Sequence, residues 1–150
     1  MYLMNEKSKD DIYYLCTMIE FVARETKNHR KDVVVHFSEK DIEHELEVAE
    51  VNHCLSFEQV SDEWIEQYNI PMGDFDSIKE CNYTVPSVLA IGRVYQQLVL
   101  ATAKAGKEAQ AIKDVFSSFI SDEISDFNSN VYYSNPDYLR CCYEEGVLLE

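Results

Sequence analysis

The chain of 150 residues is 46% hydrophobic and 27% charged, and it contains only four glycines and three prolines. This length and composition are typical of one globular domain with its own hydrophobic core, and they exclude a low-complexity or disordered protein. The formal net charge of −15 disfavours direct nucleic-acid binding, because such binding relies on Lys and Arg to neutralise phosphates.

Cysteine usage predicts a cytoplasmic protein with reduced thiols. The five cysteines are Cys16, Cys54, Cys81, Cys141 and Cys142. An odd number, with two adjacent and no CxxC pair, is a poor framework for disulfides or for zinc. The N-terminal residues contain no apolar run followed by a small-residue cleavage site, so they do not predict a secretory signal. A redox role for Cys141 and Cys142 is left open.

The first predicted helix begins at Ser8, whose side chain can cap it. Asp10 and Asp11 follow in the first turn, where negative charge suits the helix dipole. Apolar residues then recur at helical spacing from Ile12 to Ala23. We expect this helix to be well buried and to end near residue 27 or 28.

A basic cluster lies at the end of this helix and consists of Arg24, Lys27, Arg30 and Lys31, with His29 among them. These side chains could bind a phosphate or the acidic face of a partner. Alternatively, they offset the negative end of the helix dipole and pair with nearby carboxylates. We favour the second interpretation.

Residues 32–37, DVVVHF, fit two structures. Three consecutive valines favour a strand, whereas the length suits a short connecting helix. No partner strand is evident elsewhere in the chain, so we predict a helix. Ser38 and Asp41 then form a variant of the capping box that opens the next helix.

The two helices that follow carry outward-facing carboxylates. In the first, Ile42, Leu46 and Ala49 face inward and Glu45 lies at the border of the apolar face. In the second, Ser56 and Gln59 form a capping box. The carboxylates that we select as candidate contacts for a partner are Glu43, Glu47, Glu50, Asp62 and Glu66.

The second half of the chain is predicted to be organised around a central helix over 88–103. This stretch is apolar on more than one side, but it is too short for a membrane span, which needs about 20 apolar residues. One long helix over 112–127 and a last helix over 136–146 follow. Residues 71–86 show no sustained period and predict a loop.

Together these patterns predict an all-α protein, a single compact bundle of about six or seven helices around the buried central helix. We expect one domain over 1–150, with an N-terminal helical segment (8–70), a loop (71–86) and a C-terminal helical segment (87–146). Because each segment alone is small, neither is expected to fold independently.

The sequence contains no signature of a catalytic, metal or cofactor site. His44 and Glu45 begin the zinc-protease pattern, but Val48 stands where the second histidine is needed. His53 and Cys54 are neighbours in sequence, and a nucleophile with its base is often assembled from distant residues. We therefore predict no catalytic residue, metal or cofactor, and keep a cleft at His53 and Cys54 as an alternative.

A set of short stretches carries a resemblance to known proteins; these are residues 12–15, 18–21, 27–28, 32–33, 49–55, 62–69, 125–128 and 132–138. They resemble small uncharacterised helical proteins of low-GC Gram-positive bacteria and their mobile elements. The resemblance covers most of the chain loosely, and the first half is similar to short helical proteins encoded beside candidate toxins. It implies no reaction, but it implies an antitoxin-like or phage-defence role.

The leading hypothesis is a non-enzymatic, acidic interaction protein that binds a basic protein partner, such as a toxin. An acidic surface speeds association with such a partner and repels anionic membranes, so no membrane partner is expected. The alternatives are a small enzyme or ligand-binding protein with a cleft near His53 and Cys54, and an inhibitor that mimics nucleic acid. A homodimer remains possible if the apolar faces exceed what one core can hold.

Overall fold

A computed structural model describes residues 5–79, 81–129 and 131–149 of the chain. Within these residues the fold is all-α, as predicted, and contains no strand. The eight helices are α1 (Glu6–Thr26), α2 (Arg30–Val34), α3 (Glu39–Asn52), α4 (Phe57–Gln67), α5 (Val88–Thr102), α6 (Glu108–Ser117), α7 (Phe119–Ser125) and α8 (Pro136–Glu145).

The core is built on the pair formed by α1 and α5. Tyr95 and Val99 of α5 are fully buried, as expected for the central helix, and Cys16 and Val22 of α1 are equally buried. Helix α1 also contacts α2, α3 and α4, whereas α5 contacts α6 and α8. The two predicted segments therefore pack against each other. The prediction of one domain over 1–150 includes residues outside the described ones and stays a prediction.

A glycine allows α1 and α5 to approach closely. A Cβ atom added to Gly92 would lie 2.0 Å from the Thr17 Oγ1 atom and 3.0 Å from the Thr17 Cα atom. Thr17 cannot turn away easily, because its hydroxyl donates to the Tyr13 carbonyl oxygen at 2.8 Å. The absence of a side chain at Gly92 thus sets the spacing of the two central helices.

A buried ion pair joins four helices at one end of this core. Arg30 of α2 and Glu20 of α1 are each 2% exposed, and the Arg30 Nε atom donates to the Glu20 Oε1 atom at 2.6 Å. The Arg30 Nη1 atom donates to the Tyr95 hydroxyl of α5 and to the Ser125 hydroxyl of α7. Tyr95 in turn donates to the Ser121 hydroxyl. We call these five side chains the buried network.

Other members of the basic cluster are also paired with carboxylates. The Arg24 Nε atom donates to the second oxygen of Glu20 at 2.6 Å, and the Lys31 Nζ atom lies 2.9 Å from the Asp122 Oδ2 atom. These pairs favour the interpretation that the basic cluster pairs with carboxylates of the chain itself. Arg30 in particular is not on the surface, where a phosphate or a partner could reach it.

The predicted loop is fastened to the end of α1. The Gly73 amide donates to the Thr26 carbonyl oxygen at 2.7 Å, and the Phe75 amide donates to the Lys27 carbonyl oxygen at 2.8 Å. Near the other end of the loop, Arg24 donates to the Pro86 carbonyl oxygen. The loop therefore follows the surface of the core and leads the chain to α5.

The ends of two helices differ from those expected. Asn5, and not Ser8, caps α1, since the Asn5 side chain accepts from the Ser8 amide at 2.8 Å. The predicted long helix over 112–127 is divided at Ser118, whose backbone is extended and whose hydroxyl donates to the Val115 carbonyl oxygen. A serine that bonds a carbonyl of its own helix competes with the backbone pattern. This division gives eight helices.

The region over 32–37 contains helix and turn. Helix α2 ends at Val34, and residues 35 and 36 form a turn. The capping box at Ser38 is present as predicted, because the Ser38 hydroxyl accepts from the Asp41 amide and the Asp41 carboxylate accepts from the Ser38 amide. Val33 and Val34 are fully buried. These two valines are therefore buried in the helical core, although a run of valines favours a strand.

Candidate functional site

A groove between α1 and α3 gathers aromatic and charged side chains around a cavity of about 540 Å³. We call it the α1–α3 groove. Its walls come from α1 and α3, with one residue each from α4 and α5. The residues that line it are Lys7, Asp10, Asp11, Tyr13, Tyr14, Thr17, Ala49, Glu50, His53, Phe57 and Leu89.

Helical spacing explains why these side chains share one groove. Lys7, Asp11 and Tyr14 are separated by four and three residues, so they lie above one another on one face of α1. Glu50 and His53 are three residues apart at the end of α3. The packing of α1 against α3 then turns these two faces toward the same space.

Aromatic rings form a fixed wall in the groove. The rings of Tyr14 and His53 meet edge to face, with centroids 5.4 Å apart and an interplanar angle of 88°. The ring of Phe57 lies 6.4 Å from that of Tyr14. The Tyr14 hydroxyl donates to the Asn52 carbonyl oxygen at 3.2 Å, which holds the ring in place. The wall therefore offers rigid apolar area beside the charged groups.

The α1–α3 groove carries a net negative charge. Three carboxylates and one ammonium line it, which gives a formal charge of −2 with His53 neutral. The Lys7 Nζ atom lies 2.8 Å from the Asp11 Oδ2 atom and 3.7 Å from the Glu50 Oε2 atom. Among the described residues, no cation pairs with the Asp10 carboxylate. The groove thus has more anionic than cationic groups.

Two lining groups are held in their protonated forms. The hydrogen bond to Asp11 raises the pKa of Lys7 above its usual value. Burial, with the nearby Glu45 and Glu63 carboxylates, raises the pKa of Tyr14 to about 12. Because a proton on either group is held more tightly than usual, neither becomes a better base near neutral pH. These two shifts suit binding better than proton abstraction.

The five candidate carboxylates are all exposed, but they form two separate rows. On α3, Glu45 is 3% exposed and accepts from the Trp64 Nε1 atom at 3.0 Å, so this side of α3 faces α4. Successive residues of a helix are turned by about 100°. Glu43, Glu47 and Glu50 therefore lie on the side of α3 away from α4. We call them the α3 row.

Asp62 and Glu66 form the second row, on α4. Trp64 is 2% exposed, and both it and Tyr68 donate to Glu45 of α3. By the same helical geometry, Asp62 and Glu66 point away from Trp64 and hence away from α3. We call them the α4 row. The structure does not bring the two rows together into one patch.

The α3 row borders two grooves. Glu50 lines the α1–α3 groove. Glu43 and Glu47 line a second cavity of about 310 Å³, together with Asp11 of α1 and Gly106, which precedes α6. A partner that covers the α3 row would therefore also reach the concave surface of both cavities.

Of the alternative cleft residues, only His53 lines the groove. Cys54 follows the end of α3 and is exposed, and its thiol donates to the Glu50 carbonyl oxygen of α3 at 3.9 Å. Cys54 is thus directed back toward α3, and no contact joins it to the His53 ring among the described residues. The structure brings His53 together with Glu50 and Tyr14 instead.

The α1 side of the groove is what sequence reasoning missed. The sequence predicts Asp10 and Asp11 only as first-turn residues that suit the helix dipole, and it predicts nothing for Lys7. The signal was the spacing of Lys7, Asp11 and Tyr14, which repeats at four and three residues along one face. Glu45 was placed at the border of its helix, yet it is buried, because Trp64 and Tyr68 supply its hydrogen bonds.

Several comparisons assign no known site to this chain. Within the described residues, no three His, Cys, Asp or Glu side chains are grouped so that they could hold a metal ion. No helix there combines the length and apolar character needed to cross a membrane. Comparison with protein-family models, with curated proteins and with solved structures gave no match.

Proposed function

We propose that the protein is a non-enzymatic interaction protein that binds a basic protein partner at the α3 row and the adjoining α1–α3 groove. The single observation that carries this proposal is the meeting of carboxylates with a fixed aromatic wall in one cavity. Carboxylates attract the positive charge of a partner, and the rings supply rigid contact area.

Charge supports the choice of a basic partner. The chain has a formal charge of −15, and the α3 row adds exposed carboxylates beside the groove. Such a field raises the association rate with a positively charged protein and lowers that with a negatively charged one. Among basic proteins, a toxin or a component of phage defence is the partner to which the sequence resemblance points.

The α3 row is a better contact surface than the α4 row for a geometric reason. The α3 row borders two concave surfaces, of about 540 and 310 Å³, into which side chains of a partner can insert. Protein interfaces draw most of their binding energy from anchors that fill such pockets. We therefore assign the contact to Glu43, Glu47 and Glu50 and leave Asp62 and Glu66 outside it.

The proposal is tested by purifying the tagged full-length protein from its native host at low and at high salt. We expect a basic protein to co-purify at low salt and to be released at high salt. A Glu47→Gln/Glu50→Gln variant should lose it, whereas an Asp62→Asn/Glu66→Gln variant, which removes the same amount of charge, should retain it. Recovery of the wild type alone, or equal loss from both variants, would contradict the proposal.

A second function, binding of a small molecule, is favoured by the size of the groove. A cavity of about 540 Å³ lies within the range of about 300 to 1,000 Å³ that is typical of ligand sites. His53 would supply the polar contact at its centre. A screen of small amines, acids and neutral compounds by ligand-detected NMR tests this function. Binding that His53→Ala abolishes, at an affinity unaffected by salt, would favour it over the protein partner.

A further inference from the structure

Lys7 lies in the α1–α3 groove as a cation supplied by the chain itself. Its ammonium group bridges two helices, at 2.8 Å from Asp11 of α1 and 3.7 Å from Glu50 of α3. The side chains of Lys7 and Glu50 are 59% and 74% exposed, whereas that of Asp11 is 16% exposed. Because the lysine side chain is largely open to water, the bridge contributes little to stability, and another cation can replace Lys7 at small cost.

The rest of the groove suits a cation on an apolar stem. Phe57, Leu89 and Ala49 line it together with the carboxylates, and the Tyr14 ring packs edge to face on the Phe57 ring. A lysine side chain has this character, because its four-carbon stem packs on apolar surface while its ammonium group remains with the carboxylates.

The geometry points to an ammonium group and not to a guanidinium group. Asp11 and Glu50 each offer one oxygen to the Lys7 Nζ atom, and the two oxygens come from different helices. An ammonium group has three rotatable donors and can bridge two separate oxygens, whereas a guanidinium fork fits both oxygens of one carboxylate.

We propose that the α1–α3 groove binds a lysine side chain of the basic partner and that Lys7 is its internal competitor, which the incoming lysine displaces from Asp11 and Glu50. This inference rests on the proposed function and adds the identity of the recognised group. It also assigns Lys7 the role of lowering the affinity of the free groove for lysine.

The test is an NMR titration of the full-length protein with acetyl-Leu-Lys-Leu-amide, followed through the signals of Lys7, Tyr14 and His53. We expect the lysine peptide to bind more tightly than the matching arginine and glutamine peptides. Lys7→Gln should tighten binding of the lysine peptide by about twofold to fivefold, the range that corresponds to a surface ion pair. Glu50→Gln should weaken it by a similar factor.

Lys9→Gln is the matched control for Lys7→Gln. Lys9 is also on α1, pairs with Glu6 at 3.5 Å and does not line the groove. Both variants remove one positive charge, so a general electrostatic effect would change the affinity equally. Tighter binding by Lys7→Gln alone supports the competitor role, while equal tightening by both variants overturns it.

The remaining outcomes separate this inference from the proposed function. If the lysine peptide binds and Glu50→Gln weakens it, but Lys7→Gln does not tighten it, the competitor role is overturned and the basic-partner function stands. If the lysine and glutamine peptides bind alike to the wild type and to Lys7→Gln, recognition of lysine is overturned. The partner itself is then judged by the co-purification experiment, which does not depend on the peptide.

Discussion

The buried network and the α1–α3 groove use the same chemistry in opposite surroundings. Each pairs a cation with carboxylates across helices: Arg30 with Glu20 in the core, and Lys7 with Asp11 and Glu50 at the surface. Removing one partner from a buried pair leaves a charge without compensation, whereas water replaces a missing partner at the surface. The first pair therefore fixes the fold, whereas the second is free to exchange partners.

The largest effect is expected from breaking the buried pair. Glu20→Gln leaves the Arg30 guanidinium buried without its counter-charge, so the free energy of unfolding should fall by about 3 to 5 kcal/mol. Urea denaturation followed by circular dichroism measures this change. A double variant, Glu20→Gln/Arg30→Met, should regain part of the loss, because it removes the buried charge as well. A loss below about 1 kcal/mol would show that the network does not fix the fold.

Alkaline pH should weaken the fold through the buried network. Burial raises the pKa of Tyr95 from 10.0 to about 12, so above pH 10 the unfolded chain releases this proton more readily than the folded protein. The contribution of Tyr95 to stability is therefore complete well below pH 10 and is lost as the pH rises from 10 toward 12, by about 2 to 3 kcal/mol for a shift of this size. Denaturation of the wild type and of Tyr95→Phe across this range measures the effect. An unchanged pH slope in Tyr95→Phe would contradict the assignment.

A smaller loss of stability is expected from a change at Gly92, where α1 and α5 approach closely. Gly92→Ala places a Cβ atom 2.0 Å from the Thr17 hydroxyl oxygen. Overpacking of this kind costs about 1 to 3 kcal/mol, and the better helix propensity of alanine offsets up to about 1 kcal/mol. Thermal unfolding should therefore show a net loss of about 1 to 2 kcal/mol. The double variant Thr17→Ala/Gly92→Ala, which removes the close hydroxyl oxygen, should recover part of it, and a stabilised Gly92→Ala would contradict the close approach.

The smallest effect on stability is expected at the surface pair. Lys7→Gln should leave the free energy of unfolding almost unchanged, because ion pairs made by exposed side chains contribute little to stability. Urea denaturation should show a small difference between the wild type and Lys7→Gln at low salt, and a difference no larger at high salt. A loss as large as that of Glu20→Gln would show that Lys7 is a structural residue and not an exchangeable one.

Sequence reasoning succeeded where the signal is local. The period of apolar residues located the central helix, and the Ser38 capping box was identified from two residues three positions apart. It failed where a charge finds its partner across the fold. The sequence shows Arg30 only as one member of a basic cluster, because nothing in its neighbourhood predicts that Glu20, Tyr95 and Ser125 surround it.

The candidate site was predicted only in part for the same reason. Helical periodicity identified Glu43, Glu47 and Glu50 as outward-facing, and the structure agrees. Periodicity does not reveal the direction in which a helix turns its outer face. Only the contact of Glu45 with Trp64 shows that the α3 row and the α4 row point away from each other. The joining of α1 to His53 likewise depends on helix packing.

The central claim is that a basic partner binds at the α3 row, and calorimetry with the co-purified partner tests it most directly. At one fixed low salt concentration, Glu47→Gln/Glu50→Gln should raise the dissociation constant by about tenfold or more, the equivalent of about 1.4 kcal/mol. Asp62→Asn/Glu66→Gln should leave it within about twofold. Equal weakening by the two variants would contradict the account, because it would show attraction to the total charge and not to this face.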